Sequence, residues 1–363
     1  MKKADIIKMK ISRVEKEIRD TPYDKSSEHH HARLKAKLAR LTDEFEGPMN
    51  KGGGGGGGYA VRHSGDACVV LVGLPSVGKS TLLNALTNAD SKVGNYDFTT
   101  LGVVPGMMEY KGIRFQVLDL PGIVRGASRN IGFGKRVISV IRASDLVILM
   151  TDVSRPKWLA KMEEELYAAG LRLNGEVPRI NVKKTSRGAI QVVDAHKSFD
   201  KEMVIEVAKE LGFSNAVIQL EERIKNIDRL IDGLTKSRKY MPAIRVLNKI
   251  DNKLEVGRGG SDDVIFISAE KELGLDVLKE AMWEKVGLLR VFLKKTRKGV
   301  ADRKKPLVIK KGASLKEVVR KISSQMAVDV GSAYIWGEGA RFAGQKVSLG
   351  FKVFDQMEVW FGR

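Results

Sequence analysis

The octapeptide Gly73-Leu74-Pro75-Ser76-Val77-Gly78-Lys79-Ser80 constrains this chain more than any other stretch. It fits the pattern G-x-x-x-x-G-K-[ST] and has the context the pattern needs. The apolar run ACVVLV precedes it, and the helix-forming STLLNAL follows. Glycines let a backbone wrap a phosphate closely with its N–H groups pointing inward. The start of a helix adds partial positive charge. Pro75, Ser76, Val77 and Gly78 are therefore expected to cradle phosphates, with Thr81 in the first helical turn. Lys79 is expected to reach the β- and γ-phosphates as a catalytic group, and the Ser80 hydroxyl to ligate Mg²⁺.

Three more segments sit at the ends of apolar, strand-like runs. Asp119-Leu120-Pro121-Gly122 closes the run 113–119. Asp119 is expected to hold Mg²⁺ through water, and the Gly122 amide to approach the γ-phosphate during catalysis. Asn248-Lys249-Ile250-Asp251 closes the run 243–248. A carboxylate at Asp251 accepts hydrogen bonds from guanine N1–H and the 2-amino group, neither of which adenine offers, so ATP is disfavoured. The Lys249 stem can lie along the purine ring. Ser268-Ala269-Glu270 closes the run 263–268, and the Ala269 N–H is expected to meet guanine O6. Each of these short patterns is weak alone. Four in order, each at the carboxyl end of a strand, specify a guanine-nucleotide site along one sheet edge. Between the first two lies Phe98-Thr99-Thr100-Leu101. Thr100 would complete the Mg²⁺ shell only when a γ-phosphate is present, which makes it a switch and a catalytic candidate. The plainer reading of this pair is a β-branched entry into the next strand.

The chain divides by composition. Ile7, Ile11, Val14 and Ile18 mark one helix face; Leu34, Leu38, Leu41 and Phe45 mark a second, with Thr21-Pro22 between them. This predicts a helical hairpin over 1–50, each helix serving as the other's partner. His29, His30 and His31 read as a solvated face, because adjacent helical residues point in different directions. The glycines of 51–58 are a flexible linker. From 59 to 171 and from 238 to 289 the pattern is α/β: a mostly parallel sheet with one antiparallel edge, formed by a hairpin turning at Lys111-Gly112. Asp119 and Asn248 are 129 residues apart, far more than two βα units need. An α+β insertion is expected over 172–237, with two short strands around Ser186-Arg187-Gly188 and helices near 200–211 and 221–236. Residues 290–363 read as a β-grasp-like domain: strand 307–310, helix 314–325, and strands near 332–336 and 357–361.

The net charge of +20 is unevenly spread. Residues 290–363 carry 17 Lys/Arg against 6 Asp/Glu, so a polyanion, RNA above all, is the expected partner. No apolar run is long enough to span a membrane, and the N-terminus lacks a secretory apolar core. Cys68, the one cysteine, sits in an apolar run and reads as a buried thiol. A cytoplasmic location is the expectation.

GLPSVGKSTLLNAL, YDFTTLGVVPG, DLPGIVRGA and NKID, in this order of parts, resemble the Obg-like GTPases, and closely the developmentally regulated GTP-binding branch. The resemblance covers nearly the whole chain. It implies GTP hydrolysis, an insert with the fold of ribosomal protein S5 domain 2, and a C-terminal TGS domain. It also implies a role in translation through ribosome or RNA contact and, in eukaryotic members, a regulatory protein partner. The water-orienting glutamine of Ras-like enzymes is replaced here by Ile123, which implies slow intrinsic hydrolysis. Relatives that use K⁺ carry Asn where this chain has Ser76, which leaves a K⁺ requirement open. Arg125 and Arg129 are candidates for arginine fingers in cis, with solvent- or RNA-facing charges the plainer reading. Two other functions stand beside a translation GTPase: a GTP-gated protein-binding module, and a signalling GTPase with negligible intrinsic hydrolysis.

Overall fold

A computed structural model describes residues 3–46, 64–87, 104–120, 134–251, 257–259, 264–322 and 330–362. They fall into two compact units. One is built from Met1–Ala60, Phe133–Arg142 and Glu163–Met241; the other from Val61–Gly132, Ala143–Met162 and Pro242–Arg363. Among the described residues no helix is long and apolar enough to cross a membrane.

The second unit holds a seven-stranded sheet. Its strands are β1 (Ala67–Gly73), β2 (Val104–Tyr110), β3 (Ile113–Asp119), β4 (Leu146–Asp152), β10 (Ala243–Asn248), β11 (Gly257–Gly259) and β12 (Val264–Phe266), in the order β11-β12-β10-β4-β1-β3-β2. The pairs β3/β1, β1/β4, β4/β10 and β10/β12 are parallel. Every residue of β1 and β4 is buried, as central parallel strands covered on both faces require. Helices α3 (Lys79–Leu86) and α8 (Leu275–Val286) add Leu82, Leu83, Leu278 and Met282 to the core. The expected hairpin is present: Lys111 and Gly112 have φ of 52° and 76° and join β2 to β3. The single antiparallel edge is corrected to two. The Gly257–Gly259 strand runs antiparallel to β12, and three residues rich in glycine carry no strand signal.

The same unit contains a second sheet of five strands. These are β13 (Leu288–Leu293), β14 (Leu307–Lys310), β15 (Ser332–Trp336), β16 (Gln345–Ser348) and β17 (Met357–Gly362), in the order β14-β13-β17-β15-β16. β13 and β17 are parallel at its centre, and the flanking pairs are antiparallel. Helix α9 (Leu315–Ile322) packs Leu315 and Val318 against Val291, Ala333, Ile335 and Val359. This is the expected β-grasp arrangement. The position 290 expected to begin the domain falls inside β13, which the charged Lys294–Lys298 cluster just after it obscures.

In the first unit, α1 (Lys3–Asp20) and α2 (Glu28–Glu46) form the hairpin around Val14, Leu34 and Leu41. The expectation that each helix serves only the other is incomplete. Ala32, Ala36 and Ala39 on α2 join a second core with residues of α6 (Lys201–Glu210) and α7 (Ile227–Leu234). Packing on two sides also turns His31 inward. It is 6% exposed, its Nε2 lies 3.1 Å from Thr21 O, and its ring meets Tyr23 edge-on. The solvated reading is therefore wrong for His31, while His29 and His30 remain open to solvent. Strands β6 (Ile180–Lys184) and β7 (Gln191–Asp194) flank Ser186–Gly188 as expected, but they are not neighbours. The unread strand β8 (Ala216–Leu220) lies between them. Asn226 caps α7 by accepting from Arg229 N at 2.9 Å, which starts that helix later than its apolar pattern suggests. Strands β5 (Leu171–Leu173) and β9 (Lys239–Met241) pair in parallel. Helix α4 (Lys135–Ala143) and helix α5 (Trp158–Ala168) complete the described elements.

A buried ion cluster fastens this unit. Asp232, 5% exposed, accepts two bonds from Arg172 at 2.6 and 2.7 Å and one from Arg238 at 3.1 Å. Arg238 also reaches Asp43 on α2 at 2.9 Å. Removing the shared carboxylate leaves two guanidinium groups buried without it. Asp232→Ala is expected to lower the stability of this unit by about 3–5 kcal/mol, read from urea unfolding, since breaking a buried pair costs that much. A loss below about 1 kcal/mol would show that the cluster is peripheral.

Candidate nucleotide site

The carboxyl ends of β1, β3, β10 and β12 bring the motif residues to one edge of the large sheet. Leu71 stands opposite Asp119 in the β1/β3 register, and Asn248 opposite Asp152 in the β10/β4 register. The loop from Gly73 to Gly78 needs its glycines for contact reasons. A Cβ at Gly73 would lie 2.3 Å from Met150 O, and one at Gly78 would lie 2.4 Å from Asn248 Nδ2. Gly78 has φ +94° and Ser76 φ +63°. Left-handed residues within such a loop turn successive N–H groups toward one concavity. Pro75 and Ser76 are exposed, and Val77 is fully buried as the anchor. Gly78 provides no side-chain cap for α3, so no capping side chain there competes with an anion for the first amides of that helix. Ser80 and Thr81 are exposed on its first turn.

Lys79 is buried, and its ammonium donates to Gly73 O at 3.2 Å and to Leu74 O at 3.0 Å. Burial lowers its pKa, and the nearby Asp119 charge partly offsets this. Ser80 Oγ donates to Asp119 Oδ2 at 2.5 Å. The other carboxylate oxygen, Asp119 Oδ1, is buried without a hydrogen-bond partner among the described residues. A hydroxyl and a carboxylate with a spare lone-pair set suit a hard cation such as Mg²⁺, which keeps several of its own waters.

The base end is built from β10 and the segment after β12. Ser268 Oγ donates to Asp251 Oδ1 and accepts from Lys271 N at 3.1 Å. Lys249, with φ +67°, places its ammonium 2.7 Å from Ser76 O and so ties the base loop to the phosphate loop. Asn248 is 2% exposed. Its Nδ2 donates to Val77 O at 2.8 Å, and its Oδ1 accepts from Ala269 N at 2.9 Å. The amide expected to meet guanine O6 is thus engaged within the protein, which makes Ala269 part of the frame around the base site. Thr100 and Gly122, with Ile123, Arg125 and Arg129, lie outside the described residues.

The family described as "50S ribosome-binding GTPase" matches residues 68–184. The one described as "C-terminal region of MMR_HSR1 domain" matches 187–288. An uncharacterized GTP-binding protein of Halobacterium salinarum is 43% identical over 95% of this chain and 96% of its own length. The human developmentally-regulated GTP-binding protein 2 is 37% identical, covering 94% of both chains. The chain belongs to the developmentally regulated GTP-binding proteins, within the Obg-like GTPases. As a member it is a P-loop protein that binds guanine nucleotides. Among solved structures, the YchF GTPase of Schizosaccharomyces pombe is 14% identical, covers 83% of this chain and 99% of its own, and has a TM-score of 0.42.

Asp152, beside Asn248 at the end of β4, accepts from Ser154 N at 3.1 Å and from the Arg155 guanidinium through Nε at 3.0 Å and through Nη2. The hydrogen bond from Arg155, aided by Ser154, holds the Asp152 pKa down to about 2 against the opposing effect of burial. A depressed carboxylate stabilises the fold above its unfolded pKa, and that contribution fades as pH falls through the folded value. The stability difference between wild type and Asp152→Asn is expected to be about 2 kcal/mol and flat from pH 7 to 5. It should shrink between pH 4 and 2 in chemical unfolding measured across that range. A difference constant down to pH 2 would contradict the Arg155 pairing.

Proposed function

We propose that this protein hydrolyses GTP to GDP and phosphate with Mg²⁺ and acts as a switch in translation through ribosome or RNA contact. The observation that supports the hydrolytic reading is the buried Asp119 Oδ1, which has no partner among the described residues, beside Ser80 and Lys79. In this reading Ser80 and Asp119, with Thr100 in the GTP-bound form, would hold Mg²⁺. When bound, the ion neutralises charge across the β- and γ-phosphates. Lys79 exchanges its loop carbonyls for phosphate oxygens. Loop amides from Pro75 to Thr81 fix the phosphates, and the Gly122 amide meets the γ-phosphate. Asn248, Lys249, Asp251, Ser268 and Ala269 form the base pocket, with the Asp251 carboxylate selecting guanine. Ile123 offers no hydrogen bond to an attacking water, so intrinsic turnover is slow.

The translation role draws on the charge of residues 290–363 and on the description of the matching family as ribosome-binding. We read that domain as a TGS domain, the insert as S5 domain 2-like, and a regulatory protein as a further partner. The location follows as cytoplasmic.

Asp251 should decide the base. Asp251→Asn replaces an acceptor with an amide that can donate to a 2-oxo group. GTP affinity is expected to fall roughly 100-fold, with xanthosine triphosphate gaining in its place. Equal affinity for GTP in the variant would remove Asp251 from the pocket. Turnover tests the rest: GTP hydrolysis by the full chain with Mg²⁺, in Na⁺ and K⁺ buffers, with and without ribosomes. The expected outcome is slow basal release of phosphate, raised at least tenfold by ribosomes and lost in Lys79→Ala. Negligible turnover under every condition, with tight GTP binding, would favour the GTP-gated protein-binding module instead.

A further inference from the structure

The C-terminal sheet has two faces of different character. Alternate residues of β15 and β17, such as Ala333, Ile335, Met357 and Val359, point to the core beneath α9. The other face of the same strands carries Tyr334, Trp336 and Trp360, all half-exposed. Tyr334 and Trp360 are direct cross-strand partners with ring centroids 5.4 Å apart. Apolar rings on the outward side of a sheet are not needed for its core, and here cations lie against two of them. Lys294 Nζ sits 4.0 Å from the Trp336 ring centroid, and the Arg297 guanidinium 4.1 Å from that of Tyr334. Lys346 stands opposite Tyr334 on the edge strand. Glu358, an acid on this face, is held by Lys294 at 3.5 Å and Arg303 at 3.0 Å. Lys295, Arg297 and Lys298 are exposed at the rim.

We propose that this face is a stacking surface for single-stranded RNA, with Tyr334 and Trp360 as base platforms and the exposed Lys295, Arg297 and Lys298 as phosphate contacts. The inference rests on the translation reading above and specifies its RNA contact. Flat rings beside positive charge are what a strand of unstacked bases needs, since every base has a π-face and every linkage a negative charge. A protein partner of ordinary kind would bury a patch depleted of charge at its centre. Here the exposed Arg297 guanidinium lies against the Tyr334 ring, from which it can turn to a phosphate as a base takes its place. The local excess of 17 basic over 6 acidic residues matches a polyanion. Duplex RNA keeps its bases stacked inside and cannot use the platforms.

The test is binding of the full-length, GDP-loaded protein to a fluorescein-labelled 12-nucleotide oligouridine by anisotropy, with a duplex RNA of equal length for comparison. Wild type is expected to prefer the single strand. Tyr334→Leu and Trp360→Leu should each weaken it about tenfold, while Tyr334→Phe, which keeps the ring, stays within about twofold. The salt dependence should be unchanged in the leucine variants and shallower in Lys295→Gln/Lys298→Gln. GDP affinity, measured in parallel, should be the same in all of them. Leucine variants that bind like wild type, or a duplex bound as tightly as the single strand, would overturn the stacking surface. If wild type binds ribosomes but not oligouridine, the stacking inference fails while the translation reading stands. If it binds neither, both fail.

Discussion

The side chain of Asn248 holds the nucleotide site together. It is buried at the carboxyl end of a central strand, with its amide nitrogen on Val77 O and its amide oxygen on Ala269 N. One residue thereby ties the phosphate loop to the segment that closes the base pocket. Both bonded groups are backbone, so neither can rotate to another partner, and each would be costly to leave unpaired in a dry setting. The same contact explains the glycine at 78, because any Cβ there would collide with the Asn248 amide. Lys249 repeats the connection from the surface side through Ser76 O.

This frame depends on the sheet. Parallel strands end together, so the loops after β1, β3, β10 and β12 emerge along one edge. The fully buried β1 and β4 fix the register that sets Leu71 beside Asp119 and Asn248 beside Asp152. Ser80 on the first turn of α3 can then meet a carboxylate from the neighbouring strand, and Lys79 is held inside the loop it serves. Apolar burial thus positions a cluster of charged and polar groups that the motifs alone could only name.

Much of this was legible in the amino-acid order, for a physical reason. Phosphate loops, strand-end acids and amphipathic helices are local: their signal is a spacing or a period within a few residues. The strands of the large sheet other than β11, the hairpin at Lys111-Gly112 and the β-grasp arrangement were readable in that way. What escaped depends on distant partners. His31 is buried only because α2 packs on two sides, and nothing in three consecutive histidines announces that. β8 is a short apolar run whose role comes from pairing with both β6 and β7. Asn248 and Ala269 were each marked by a motif, but their bond to one another joins positions 21 residues apart, and the clamp of Asp152 by Arg155 joins residues with no motif at all. β13 is masked by the cluster of lysines that follows it.

The most direct measurement is the affinity of the full chain for a fluorescent GDP analogue, with Mg²⁺, for wild type and Asn248→Ala. The account predicts a loss of about 100-fold, from two backbone groups left without their partner, with the urea midpoint showing an intact fold. Affinity unchanged within about twofold, in a folded variant, would contradict the claim that Asn248 frames the site.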